Sequence, residues 1–104
     1  MSEEKVGCRT PAEGRDGVTN IPKWKFDVIR AILLDLVRDA GSEGFRWSDM
    51  TEAVAARLTQ DQLDRLGKVG WHTVSVKLEM EVRGELVRLD VKGPQRVVLG
   101  KLSD

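Results

Sequence analysis

The C-terminal third of the chain has a helical pattern that is followed by two short extended runs. From Trp71 to about Arg83, apolar residues recur every three or four positions, which is the spacing of one helix face. The runs 85–91 and 96–102 are rich in valine and leucine, and the Lys-Gly-Pro-Gln sequence between them is typical of a turn. Because an isolated β-hairpin is marginally stable in water, its apolar face must pack on helices.

A long helix is predicted upstream, beginning near Asn20, which is a good N-cap, and ending at Gly41. Its predicted core face is Phe26, Ile29, Leu33, Leu36, Val37 and Ala40. A second apolar stripe consists of Trp24, Val28 and Ile32, so the helix has more apolar surface than a single buried face needs. We expect this second stripe to form an interface, and a homodimer through the first helix is the simplest arrangement.

Two shorter helices are predicted between the long helix and the C-terminal helix. Phe45–Trp47 could form a very short strand, and Ser48 caps a helix over about 49–58. Thr59 and Gln62 have the spacing of a capping box, which predicts a further short helix. The predicted class is α+β and mostly helical: a winged helix of three main helices, a short extra helix, a two-stranded hairpin as the wing and a possible third strand.

The domain limits follow from composition. Residues 1–20 contain three glycines, a proline and only two aliphatic side chains, Val6 and Val18, so we expect a flexible arm. Residues 21–102 are expected to form one winged-helix domain. With 104 residues in the chain, a single hydrophobic core is feasible.

A family resemblance rests on the segment from Gly70-Trp71 through Val76-Lys77-Leu78-Glu79-Met80-Glu81 to Arg83-Gly84. A Gly-Trp helix start, this central pattern and the Arg-Gly turn before the first wing strand resemble a family of small, uncharacterised bacterial winged-helix-like proteins. The likeness covers about residues 23–99 and includes the Ser48–Val54 segment. It implies a fold and brings no known activity or site residues.

The leading functional expectation is binding of double-stranded DNA by a regulator or accessory factor. In a winged helix, the helix before the wing enters the major groove, and the wing contacts the backbone. If Trp71, Val74, Leu78 and Val82 form the core face of helix 71–83, the opposite face can contact DNA. The candidate nucleic-acid-binding residues are His72, Thr73, Lys77 and Arg83 on the helix, and Lys92, Gln95 and Arg96 on the wing.

A protein-interaction module without DNA binding is the alternative. Val76 and Met80 lie on the face predicted to be exposed, and paired apolar residues one turn apart favour contact with protein. The chain has 17 basic and 17 acidic residues, whereas DNA-binding domains usually have a basic excess. The candidate interface residues are therefore Trp24, Val28, Ile32, Val76 and Met80, and a solvated face without a binding role also stays open.

Other classes find no support in the sequence. His72 is the only histidine, Cys8 the only cysteine, and tyrosine is absent, so no catalytic nucleophile–base pair is evident. No metal-ligand spacing and no phosphate-binding loop occurs, and we expect neither enzymatic activity nor a cofactor nor a bound metal. The lone cysteine and the absence of a secretory or membrane-spanning pattern lead us to expect a cytoplasmic protein without a membrane partner.

Overall fold

A computed structural model describes residues 4–9, 18–89 and 95–100, and these segments form the α+β architecture that the sequence predicts. Its helices are α1 (Lys23–Ala40), α2 (Met50–Ala56), α3 (Gln60–Leu66) and α4 (Val69–Val82). Its strands are β1 (Lys5–Arg9), β2 (Val18–Pro22), β3 (Phe45–Arg46), β4 (Leu86–Arg88) and β5 (Arg96–Leu99).

Strands β1 and β2 form an antiparallel ribbon, so the prediction of a flexible arm is wrong for residues 5–9 and 18–20. The ribbon pairs Val6 with Ile21, and it places the side chains of Cys8 and Ile21 in the core with no exposed surface. Burial of these two apolar side chains offsets the conformational entropy that residues 5–9 and 18–20 lose when they become ordered. Residues 10–17 of the predicted arm lie outside the described residues.

Helix α1 presents the predicted face to the core. Phe26, Ile29 and Leu33 are buried, as are Leu36 and Val37, whereas Ala40 at the end of the face is partly exposed. The predicted N-cap is wrong, because Asn20 belongs to β2 and Pro22 occupies the N-cap position. The C-terminal prediction is confirmed: Gly41 follows the helix with a φ of 68°, a conformation that favours glycine.

The short helices α2 and α3 bring the chain back to α4. The capping box is confirmed. The Thr59 hydroxyl accepts a hydrogen bond from the backbone N–H of Gln62 at 3.1 Å, and the side-chain oxygen of Gln62 accepts one from the backbone N–H of Thr59 at 2.9 Å. Ser48 does not cap α2, because it lies inside a 3-10 turn over Trp47–Asp49.

The second sheet has the strand order β3-β5-β4, with antiparallel pairing throughout. The possible third strand is thus present, and Phe45 pairs with Val97 in the central strand. Both hairpin strands are shorter than the predicted runs, and Lys92 at the predicted tip lies outside the described residues. The sheet contacts α1 through β5 and α4 through β4.

Candidate functional site

Helix α4 is rotated so that its two faces are exchanged relative to the sequence prediction. Val76 and Met80, expected on the outer face, have no exposed surface and belong to the core. Trp71 and Val74, expected in the core, are 48% and 38% exposed. The predicted core face of α4 is therefore wrong, because α1, α2 and the β1–β2 ribbon pack on the opposite side.

His72 and Thr73 are buried with that inner face. The Nδ1 atom of His72 lies 2.7 Å from the carbonyl oxygen of Lys68, and the imidazole ring meets Trp71 edge-on at 4.8 Å. Burial lowers the pKa of His72, against the opposing effect of the Lys68 carbonyl. Thr73 has no exposed surface, and its hydroxyl finds no hydrogen-bond partner within the described part of the chain. Neither side chain is placed to reach a base or a phosphate.

Lys77 is also buried, with 2% of its side chain exposed. Its Nζ atom lies 2.6 Å from a carboxylate oxygen of Glu81 and 4.3 Å from the centre of the Trp47 ring. Arg88 donates a further hydrogen bond to Glu81 at 3.1 Å. Burial lowers the pKa of Lys77, whereas the Glu81 carboxylate raises it. The ammonium group is thus used inside the fold and is not presented to a nucleic acid.

Arg83 keeps partial exposure, yet its guanidinium group is held by two intramolecular contacts. Its Nε atom donates to the buried Glu79 carboxylate at 2.7 Å, and the group lies 4.9 Å from the centre of the Phe26 ring. This ion pair lies next to Cys8 of β1, whose thiol is affected by both charges. Arg83 therefore links α4 to α1.

Burial raises the pKa of the Cys8 thiol from 9.0 to about 11, with a smaller contribution from Glu79. The folded state disfavours the thiolate, so the neutral Cys8 thiol stabilises the fold fully below pH 9. This stabilisation is lost as the pH rises toward 11. We expect the free energy of unfolding to fall by about 2 to 3 kcal/mol more in the wild type than in Cys8→Ala over this range. Urea unfolding at stepped pH measures the difference, and parallel curves for the two proteins would contradict it.

The described wing candidates, Gln95 and Arg96, do not form one basic surface with the candidates on α4. Gln95 is exposed, and Arg96 is partly buried with its guanidinium group 3.4 Å from the carbonyl oxygen of Gly44. Of the candidates on the helix, Arg83 alone keeps substantial exposure, whereas His72, Thr73 and Lys77 are buried. The described residues thus do not combine the candidates into one exposed basic face.

The second stripe of α1 is covered in part by the protein itself. Trp24, Val28 and Ile32 are partly buried and pack against the core cluster. The guanidinium group of Arg65, on α3, lies 4.9 Å from the centre of the Trp24 ring. The surplus apolar surface that suggested a dimer through the first helix is therefore smaller than the sequence indicated.

The most apolar exposed feature is instead the outer face of α4, here called the outer stripe: Trp71, Val74, Leu78 and Val82. Four large apolar side chains are exposed among the described residues, and three of them belong to this stripe. The fourth is Val87 on β4, and Leu78 in the middle of the stripe is partly exposed. The sequence predicts these four residues as the core face of the helix, whereas the structure places them on its outer face.

Comparison with known proteins adds a family and no activity. The model of a family of unknown function, DUF6958, matches residues 5–97. The match begins at β1, so it includes the ribbon that the sequence resemblance, starting near residue 23, had left out. No curated protein and no solved structure matches the chain.

Within residues 4–9, 18–89 and 95–100, no group of three or more His, Cys, Asp or Glu side chains is arranged to hold a metal ion. Across these same segments, no helix has both the length and the apolar character needed to span a membrane.

Proposed function

We propose that this chain, which belongs to DUF6958, a family of unknown function, is a protein-interaction module that docks a partner protein on the outer stripe of α4. The observation that carries the proposal is the concentration of exposed apolar side chains on this one helix face. Contiguous apolar surface on a small domain is typical of a protein contact.

The scaffold that we propose is a winged helix. The order α1, β3, α2, α3, α4, β4, β5, with β5 between β3 and β4, is the order expected for that fold. In DNA-binding winged helices, the helix that corresponds to α4 reads the major groove. The same scaffold can serve other functions, so the surface of α4 decides between them.

The surface of α4 favours protein over DNA. A DNA-reading helix presents hydrogen-bond donors to bases and phosphates. Here Lys77 is buried against Glu81, and the exposed positions are Trp71, Val74 and Val82. The zero formal charge of the chain also gives no general attraction to a polyanion.

A duplex titration separates the two functions. Fluorescence anisotropy with a labelled mixed-sequence duplex at about 50 mM salt detects electrostatic binding, which weakens steeply as salt is raised. We expect no salt-dependent binding by the wild-type protein. Tight binding that decreases with salt would contradict the proposal and favour the DNA function.

Site-specific photo-crosslinking tests the surface directly. A photo-crosslinking residue in place of Val74 on the outer stripe is compared with the same residue in place of Val87 on β4. Both positions are exposed valines, at 38% and 46%, so they differ in location rather than in accessibility. We expect discrete crosslinked species from position 74 only, competed by unlabelled wild type and not by Leu78→Glu. Equal crosslinking from both positions would overturn the proposal.

A further inference from the structure

We infer that the partner is a second copy of this chain, bound through antiparallel pairing of two α4 helices. This inference rests on the proposed function, because it names the occupant of the outer stripe. Two observations carry it: the spacing of the stripe and its dimensions.

The spacing of the outer stripe suits a two-fold axis. The midpoint of positions 71 and 82 lies between 76 and 77, and the midpoint of positions 74 and 78 is 76, so the two pairs are centred on nearly the same point of α4. An antiparallel copy would therefore place Trp71 opposite Val82 of the partner subunit, and Val74 opposite Leu78 of the partner subunit. Large side chains then meet smaller ones, and every contact occurs twice, as a two-fold interface requires. Parallel pairing would instead oppose two tryptophans.

The helix dipoles favour antiparallel over parallel pairing, because the N-terminal end of each α4 then lies beside the C-terminal end of the other copy. Side-chain charge does not add to this preference, since an exposed cationic residue flanks each end: Lys68 precedes α4 and Arg83 follows it. Glu81, in the last turn, already contacts Lys77 and Arg88.

The size of the outer stripe sets the strength of the association. The stripe extends over positions 71–82, about 17 Å along the helix, and it is one helix wide. Another α4 has the same length and width, so it matches the whole stripe. Stable interfaces bury about 800 Å² on each partner, whereas the exposed half of a tryptophan contributes on the order of 100 Å². We therefore expect a reversible dimer that dissociates on dilution, and not a permanent one.

Sedimentation velocity over a range of concentrations, about 5 to 500 µM, measures the association. The wild type is expected to shift from monomer to dimer as its concentration rises. Val74→Glu is expected to weaken the dimer at least about tenfold, because it places a charge in an apolar contact. Val87→Glu is the matched control and should dimerise as the wild type does. A dimer that survives Val74→Glu would overturn the inference.

Disulfide trapping tests the orientation. In a Cys8→Ala background, chains with Val74→Cys and chains with Leu78→Cys are oxidised separately and as a mixture. Antiparallel pairing predicts fast disulfide formation between position 74 and position 78 in the mixture, with slower formation in each separate sample. Faster formation in the separate samples would indicate parallel pairing and overturn the antiparallel arrangement.

The outcomes separate this inference from the proposed function. A wild type that stays monomeric at every concentration, while position 74 crosslinks to a different protein, overturns the second copy and leaves the interaction module standing. A monomer without position-specific crosslinks at 74 overturns both. A concentration-dependent dimer that Val74→Glu disrupts supports both.

Discussion

Replacing Lys77 by glutamate is expected to unfold the domain or to cost several kcal/mol of stability. The substitution places a carboxylate in a site where 2% of the side chain is exposed and where Glu81 already supplies a negative charge. Breaking a buried ion pair costs about 3 to 5 kcal/mol, and here a repulsion is added. The free energy of unfolding of a small domain is only about 5 to 15 kcal/mol, so a loss of several kcal/mol removes a large part of it.

Lys77→Met is the matched control for this prediction. Methionine preserves the aliphatic packing of the lysine stem, and Glu81 retains Arg88 as a partner, so we expect a much smaller loss. Urea unfolding followed by circular dichroism measures both variants. Wild-type stability in Lys77→Glu would show that the side chain is solvated, and the DNA-contact interpretation of α4 would then regain support.

The burial of Lys77 changes how a binding experiment on this residue is interpreted. If Lys77 contacted phosphate, Lys77→Glu would abolish DNA binding and leave the fold intact. With Lys77 buried beside Trp47, loss of any binding in this variant reports unfolding instead. Exposed positions such as Val74 and Val87 are therefore the informative ones for function.

Substituting Gly100 by alanine is the second change with a large expected effect. A Cβ atom at Gly100 would overlap the carbonyl oxygen of Gly84 and lie 2.8 Å from its carbonyl carbon. These are backbone atoms that cannot move away as a flexible side chain could. The Gly100 amide also donates a hydrogen bond to the Glu85 carbonyl at 2.9 Å, so the strand end is fixed where the clash occurs. We expect a loss of about 3 kcal/mol, at the upper end of overpacking effects.

Gly70→Ala provides the control of opposite sign. Gly70 lies in the first turn of α4, and the nearest atom to an added Cβ is a methyl carbon of Thr51 at 3.7 Å, an ordinary contact. Alanine should stabilise the helix by about 0.5 kcal/mol or more. Thermal unfolding of the two variants beside the wild type shows the contrast, and a Gly100→Ala protein as stable as Gly70→Ala would refute the close approach.

Local signals predicted the structure well where one short-range interaction decides it. The Thr59–Gln62 capping box and the glycine after α1 are examples, because each satisfies backbone groups within a few residues. The face of α1 was also predictable, since one side is continuously apolar. These features need no knowledge of which elements are neighbours.

The orientation of α4 could not be predicted in this way. The helix has apolar residues on both sides, with Val76 and Met80 opposite the outer stripe, so periodicity does not select one. The choice depends on the elements that cover the inner face, and the β1–β2 ribbon is one of them. Because the composition of residues 1–20 predicts a flexible arm, the sequence does not indicate this neighbour of α4. The burial of Lys77 and Glu79 depends on charge partners that a count of apolar residues does not register.

The ribbon at the start of the chain has a consequence for how the protein reaches its native state. Strand β1 contacts α4, and β3 pairs with β5, so the first and middle segments acquire these partners only after later segments of the chain have been synthesised. Such distant contacts require large loops to close before they contribute stability, which slows folding. On the ribosome, Cys8 and the β3 edge would therefore stay uncovered until the last third of these residues has emerged. During synthesis, this small domain therefore passes through a period in which its apolar core residues are exposed and accessible to chaperones.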